Sequence, residues 1–150
     1  TLEMAAIAKC AEMCGGAQRI LEMTIDYATR RFQFGRPIGS FQAIQHHCAN
    51  MAMYVEAAKV NTYYSAWLIS EGMPATKNVS VAKAFAGEAY RQVGLLSHQI
   101  HGAIGFTKEL DLELYIRRGK AYEVTFGNAD FHRKTIAYSI VSEEGGVRKK

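Results

Sequence analysis

One rhythm constrains this chain more than any other feature. Phe41, Ile44, Cys48, Met51, Val55, Ala58, Thr62, Ser65 and Ile69 recur at alternating steps of three and four. At 3.6 residues per turn such a set falls on one helix face, which predicts a single long helix with a narrow apolar seam. Tyr63, Tyr64 and Trp67 widen its apolar surface near the far end. The same rhythm runs through Ile7, Cys10, Cys14, Ala17, Leu21, Thr24 and Ala28, and predicts a first helix reaching Phe32. A third set, Val81, Phe85, Ala89, Val93, Leu96 and Ile100, stops at His101-Gly102. A fourth helix is expected around Leu110 to Thr125 and a last one from Ala129 to Val141, while strand-like alternation is essentially absent.

Both prolines lie between these segments. Phe34-Gly35-Arg36-Pro37-Ile38-Gly39 breaks the first helix from the second, with Ser40 placed to cap the second. EGMPATKN, with Pro74 and Asn78, ends the second. Long helices with short connections stack antiparallel, so the expected fold is all-α: an up-and-down four-helix bundle with an additional short helix. The bundle is assigned to residues 1–142 and a flexible tail to 143–150. Gly15-Gly16 should let a second helix approach closely. Helices of such length suggest that part of their surface is covered by other domains or subunits.

Composition narrows the class. Hydrophobic residues make up 49% of the 150 and charged ones 21%, a globular balance. No apolar run of about 18 residues is present, so no membrane span is expected. The opening TLEMAAIAKC has neither a basic n-region nor a capping sequence; the expectation is a domain entered in mid-helix, with no signal peptide. Net charge is +4, but VRKK at the end carries three of those charges, and the near-balanced remainder argues against nucleic acid. Cys10 and Cys14 sit within an apolar stripe and read as free thiols of a reducing compartment, here the cytoplasm. His46, His47 and Cys48 cluster, yet neighbouring positions on a helix face different ways, and no C-x-x-C or H-E-x-x-H is present. No metal site is assigned. No Glu has His three residues later, which excludes di-iron bundle chemistry.

Two connections carry more than a turn requires. The first, Tyr27 to Gln42, sets Arg31, Gln33 and Gln42 around Phe34 and exposed glycine backbone. An arginine at a helix end suits a phosphate, and Phe34 offers a flat face to a ring system. The second, His98-Gln99-Ile100-His101-Gly102-Ala103-Ile104-Gly105-Phe106-Thr107, uses small residues that let backbone approach a ligand.

Together these stretches resemble the C-terminal helical domain of the acyl-CoA dehydrogenases, in which R-x-Q-F-G-x-P-I-x-x-F-Q and Q-x-x-G-G-x-G-[FY] recur. The likeness covers Leu2 to Ala137. It implies an FAD flavoprotein that oxidises an acyl-CoA thioester to its 2,3-enoyl form and passes electrons to an electron-transfer flavoprotein. It also implies two further domains, and a homo- or hetero-oligomer, because Arg31, Gln33 and Phe34 resemble the group that meets the dinucleotide part of a neighbouring subunit's FAD. Gln42 stands at a further contact, and Gln99, Gly102 and Ala103 match the second loop, with Ala103 replacing a glycine.

The resemblance also implies a carboxylate base, in many members the Glu of Y-E-G-T. Tyr122-Glu123-Val124-Thr125 looks like that motif. Counting without a gap from Gln99, however, sets Arg117, Lys120, Gly127 and Arg133 on their family counterparts and puts Phe126 at the base position. Glu123, one helical turn earlier, is left as the weaker candidate. A branch of the family carries its base in the first helix; that position falls on Ala5, with Ala6 beside it and Glu3 about 200° round the helix. Neither location holds an acid. Three readings remain: a dehydrogenase with its base elsewhere, an FAD-holding subunit that leaves catalysis to a paralogous partner, and a bundle kept for assembly alone.

Overall fold

The computed structural model of the chain describes the backbone of residues 1–107 and 110–147, with side chains through 142. Five α-helices are present among the described residues: α1 (Leu2–Arg30), α2 (Gln42–Ser70), α3 (Thr76–His101), α4 (Leu112–Val124) and α5 (Ala129–Val147). The expected all-α bundle is the architecture observed, with one small addition. Between α1 and α2 the chain forms an antiparallel hairpin of two-residue strands, β1 (Phe32–Gln33) and β2 (Arg36–Pro37), pairing Phe32 with Pro37 and Gln33 with Arg36. The boundary placed at residue 142 falls inside α5, whose backbone continues to Val147; residues 148–150 of the assigned tail lie outside the described residues.

Contacts between helices give their directions. Between α1 and α3 the sequence separation of bonded partners is 73 at both ends, Glu3 with Thr76 and Thr24 with Ser97, so the two run parallel. Between α1 and α2 the numbers run oppositely, Cys14 meeting Thr62 and Gln18 meeting Lys59. Gly87 faces Glu123 while Gly94 faces Ile116, which makes α3 and α4 antiparallel.

All seven seam positions expected on α1 are buried. On α2 Met51, Val55, Ala58, Thr62 and Ser65 are buried, and the seam then shifts from Ile69 to Leu68. The aromatic widening of α2 is exposed: Tyr63, Tyr64 and Trp67 face outward. The third seam is only part of what α3 buries. This helix packs against α1, α2, α4 and α5, so Ala82, Lys83, Ala84, Ala86, Gly87 and Tyr90 are buried too, while Val81 and Phe85 are only half-buried. It also starts earlier than the punctuation of EGMPATKN suggested, at Thr76.

Three local expectations are corrected. Ser40 does not cap α2: its hydroxyl donates to the Pro37 carbonyl across a 3₁₀ turn, and Phe41 takes the cap position without a side-chain bond. The start of α1 is capped, because Thr1 Oγ1 accepts the Met4 N–H at 3.4 Å. Of the glycine pair only Gly16 makes a close approach, against the Tyr90 ring; Gly15 faces open space.

Candidate functional site

The two recognised turns leave the same end of the bundle. Thr24 and Ser97 share a buried hydroxyl bond of 2.8 Å, and Tyr27 stacks on His101 at 4.4 Å, which locks the last turns of α1 and α3 together. His101 Nδ1 donates to the Ser97 carbonyl at 2.9 Å. Burial lowers the pKa of this imidazole, partly offset by that carbonyl. The hairpin departs directly after α1, and the Gly102–Phe106 turn directly after α3.

In the hairpin the Arg31 N–H donates to the Tyr27 carbonyl at 2.9 Å, and the Ile38 N–H closes onto the Arg31 carbonyl at 2.8 Å. Phe34 sits at the tip with φ 54 and is 92% exposed. Left-handed backbone at a bulky residue costs about 1–2 kcal/mol, which little packed on the ring offsets within this chain. Its ring meets Phe41 edge-on at 6.1 Å, and the Arg36 guanidinium lies 4.0 Å from the Phe41 ring centre. Arg31, Gln33, Arg36 and Gln42 are all exposed. Arg36 is a second hairpin cation, placed across β1–β2 from Gln33 by a pairing that the sequence pattern does not show.

In the second turn Gln99, Gly102 and Ala103 are exposed. Gly102 has φ 63, and a Cβ built on it meets nothing within 4 Å. That leaves open backbone for a ligand to approach, and only glycine adopts that conformation cheaply. His98 lies flat on Phe106 at 4.2 Å and braces the turn from behind.

The residue expected at the base position, Phe126, lies at the opposite end. Phe126, with φ 59, lines a cavity of about 260 Å³ together with Leu2, Glu3, Ala6, Val79 and Phe131. Ala6 lines it but Ala5 does not. Glu3 also borders the cavity, where its Oε1 accepts from Thr76 Oγ1 at 2.6 Å. Glu123 points elsewhere: its side chain lies against Gly87, borders the groove between α3 and α4, and pairs with Lys120 at 3.4 Å. Nothing in the chain's letters marked two further residues here. Lys83, only 2% exposed, donates to the carbonyls of Tyr122, Glu123 and Gly127, and His132 reaches Phe126 O and Ser80 Oγ. Ala82, Ala84, Ala86 and Gly87 around Lys83 are buried as well.

Among the described residues no three His, Cys, Asp or Glu side chains gather as a metal site, and no helix is long and apolar enough to cross a membrane.

The family model described as acyl-CoA dehydrogenase, C-terminal domain, matches residues 1–141. A probable acyl-CoA dehydrogenase of Bacillus subtilis, YngJ, is 38% identical over 141 residues, covering 94% of this chain and 37% of the relative. Butyryl-CoA dehydrogenase from Megasphaera elsdenii superposes with a TM-score of 0.91 at 28% identity, over 93% of this chain and 37% of the other. PigA with FAD and proline superposes at 0.89 with 27% identity, over 93% and 36%. The chain thus spans about a third of the length of the curated relatives it matches. With the helix order, the hairpin and the Gly102 turn all in place, the chain belongs to the acyl-CoA dehydrogenase family, as its C-terminal domain.

Proposed function

We propose that this chain is the C-terminal bundle of an FAD-dependent acyl-CoA dehydrogenase, and that its two exposed turns hold the dinucleotide of a neighbouring subunit's flavin. The observation that carries this reading is the strained, bare Phe34 beside Arg31, at the same end as the open Gly102 backbone. The residues present fit the group. Arg31 supplies a fixed cation for a pyrophosphate, and Phe34 a face for a ring. Gln33, Gln42 and Gln99 offer amide donors and acceptors, and Gly102 with Ala103 offers peptide backbone, narrowed by one methyl at Ala103. Bound FAD supplies a hydride acceptor for the β-carbon of an acyl-CoA thioester, with the electrons passing on to an electron-transfer flavoprotein.

Distance supports an oligomer. From Ala6 to Arg30 along α1 is about 36 Å at 1.5 Å per residue. One copy therefore turns its cofactor loops and its Phe126 cavity to opposite ends. Homo- and hetero-oligomers both satisfy that geometry. Three free thiols fit a reducing compartment such as the cytoplasm.

A second reading has its own observation. Removing the α-proton requires a base at the cavity, and a phenyl ring at position 126 accepts no proton. Glu123 is occupied in another groove, and Glu3, which does border the cavity, has its Oε1 bonded to Thr76 Oγ1. This favours an FAD-holding, base-deficient subunit whose paired dehydrogenase subunit supplies the carboxylate; retention of the hairpin chemistry speaks against a bundle kept for assembly alone.

The test uses the intact protein, purified alone and with any co-purifying dehydrogenase subunit, with flavin quantified and a panel of acyl-CoA thioesters assayed. Turnover by the protein alone supports the first reading, and turnover only with the paired subunit supports the second. A charge-assisted contact contributes about 1.5–3 kcal/mol, so Arg31→Ala should weaken flavin retention by about tenfold or more. Unchanged flavin content in that variant rejects the assignment of the hairpin.

A further inference from the structure

The short connection between α4 and α5 is held in a conformation its own residues do not prefer. Phe126 and Gly127 both have positive φ, 59 and 99. A Cβ at Gly127 would lie 2.6 Å from Phe131 and 2.8 Å from His132, so the chain is pressed against the start of α5. A bulky residue in the left-handed region persists only where its surroundings over-determine it.

Those surroundings are two buried side chains. Lys83 comes up from the second turn of α3, and its ammonium has three protons. They go to Glu123 O at 2.9 Å, Gly127 O at 3.0 Å and Tyr122 O at 3.2 Å. Two of these carbonyls belong to the last turn of α4, which leaves its acceptors unsatisfied and carries the negative end of the helix dipole. The third belongs to the turn itself. One cation thus ties the end of α4 to the residue after Phe126 and uses every donor it has. His132, on the first turn of α5, donates from Nε2 to the Phe126 carbonyl at 3.0 Å, while its Nδ1 accepts from Ser80 Oγ at 3.2 Å. The peptide groups on both sides of Gly127 are therefore pinned from α3 and α5.

We infer that Lys83, seconded by His132, is the positioning residue of the Phe126 cavity: its three-carbonyl clamp sets the direction in which side chain 126 projects. The clamp acts on backbone alone, so it serves whichever side chain stands at 126. Lys83 does not line the cavity, His132 borders it, and both act as positioning residues through the backbone. The inference stands on this geometry and not on the cofactor reading.

The test places 4-fluorophenylalanine at position 126 alone in the intact protein, and in a separate preparation at Phe85 on the same helix as Lys83. In the unaltered protein the reporter at 126 gives one narrow ¹⁹F resonance. Lys83→Met keeps the length and removes the donors. It should split or broaden the resonance at 126 and raise its broadening by a soluble gadolinium chelate at least threefold, with the reporter at Phe85 unmoved. An unchanged spectrum at 126, or equal changes at both reporters, overturns the inference.

Where Lys83→Met does not fold, the unaltered protein decides by pH. The groups facing the ammonium are Cys10 on α1, Glu123 on α4 and His132 on α5. Cys10 is pushed up to about 12 by burial, and burial lowers His132 below the usual imidazole range, so neither titrates with the lysine. Burial lowers Lys83 itself, with Cys10 and Glu123 opposing. Loss of its third proton frees one carbonyl, and the resonance at 126 should shift with a midpoint below 10.5 while the one at Phe85 stays. A resonance at 126 that is flat across that range overturns the inference as well. Neither readout needs flavin or turnover, so failure here leaves the hairpin assignment standing, and the reverse also holds.

Discussion

Tyr90 is gripped between two glycines, and that grip gives a graded test of the packing. Its ring passes between α1 and α4 at Gly16 and Gly119, and its hydroxyl donates to the Tyr115 carbonyl at 2.6 Å. A methyl at Gly16 would stand 2.6 Å from Oη and 2.8 Å from Cε2, and a methyl at Gly119 would overlap Cε1 and Cδ1 outright. Tyr90 is 4% exposed and held between the two glycines, with the groove between α3 and α4 along one side. Replacing glycine by alanine inside a helix gains about 1 kcal/mol of propensity. Overpacking costs about 1–3 kcal/mol, and losing the hydroxyl bond about 1 kcal/mol more. Gly119→Ala should therefore destabilise the chain by about 2–3 kcal/mol and Gly16→Ala by about 1–2 kcal/mol. Gly15→Ala, which meets nothing, should stabilise it by about 0.5–1 kcal/mol. Urea unfolding of the three variants measures the differences, and at about 2–4 °C per kcal/mol a thermal melt resolves them too. In a Tyr90→Ala background the cost of Gly119→Ala should largely vanish. If all three glycines behave alike, or the cost at 119 survives removal of the ring, the close approach is not what sets it.

Two further outcomes come from buried titrating groups. His101 and His132 are both lowered below the ordinary 6.5 by burial, so below that pH the unfolded chain takes up protons that the folded one refuses. Stability should fall as pH drops through 6.5, by up to about 1.4 kcal/mol per pH unit for each imidazole. His101→Asn, which keeps a donor for the Ser97 carbonyl, should remove about half that slope in urea titrations between pH 7 and 5; an unchanged slope contradicts the assignment. Thiol reactivity should divide by burial. Cys10 is fully buried with its thiol pushed up to about 12, whereas Cys48 is half-buried and raised by burial alone. A maleimide at pH 8 should label Cys48 at least about a hundredfold faster than Cys10, and mass spectrometry after partial labelling reads the order.

The legible and the hidden parts of this fold divide along one physical line. A helix with one covered face writes that face into its sequence as a period, and α1 and the middle of α2 were legible for that reason. α3 is covered from four directions. Its buried set therefore has no single period, and a seam of six positions stood for a surface more than twice as wide. Lys83 is the sharpest case. A lysine two residues before an aromatic, on a helix taken to be amphipathic, is assigned to water by default. Only the helix that crosses it, ending at just that height, turns it into a cap. The hairpin was hidden differently: strands of two residues are too short to alternate, so Phe34-Gly35-Arg36-Pro37 showed a break and not the pairing within it. The cavity divides the same way. That Phe126 falls at the position expected for a base could be counted along the chain, because ungapped spacing between two turns is a property of sequence. That its ring lines the cavity while Glu123 faces another groove depends on a φ of 59 at residue 126. That angle is maintained by Lys83, far back on α3, and by His132 on α5, and no local pattern around 126 encodes it.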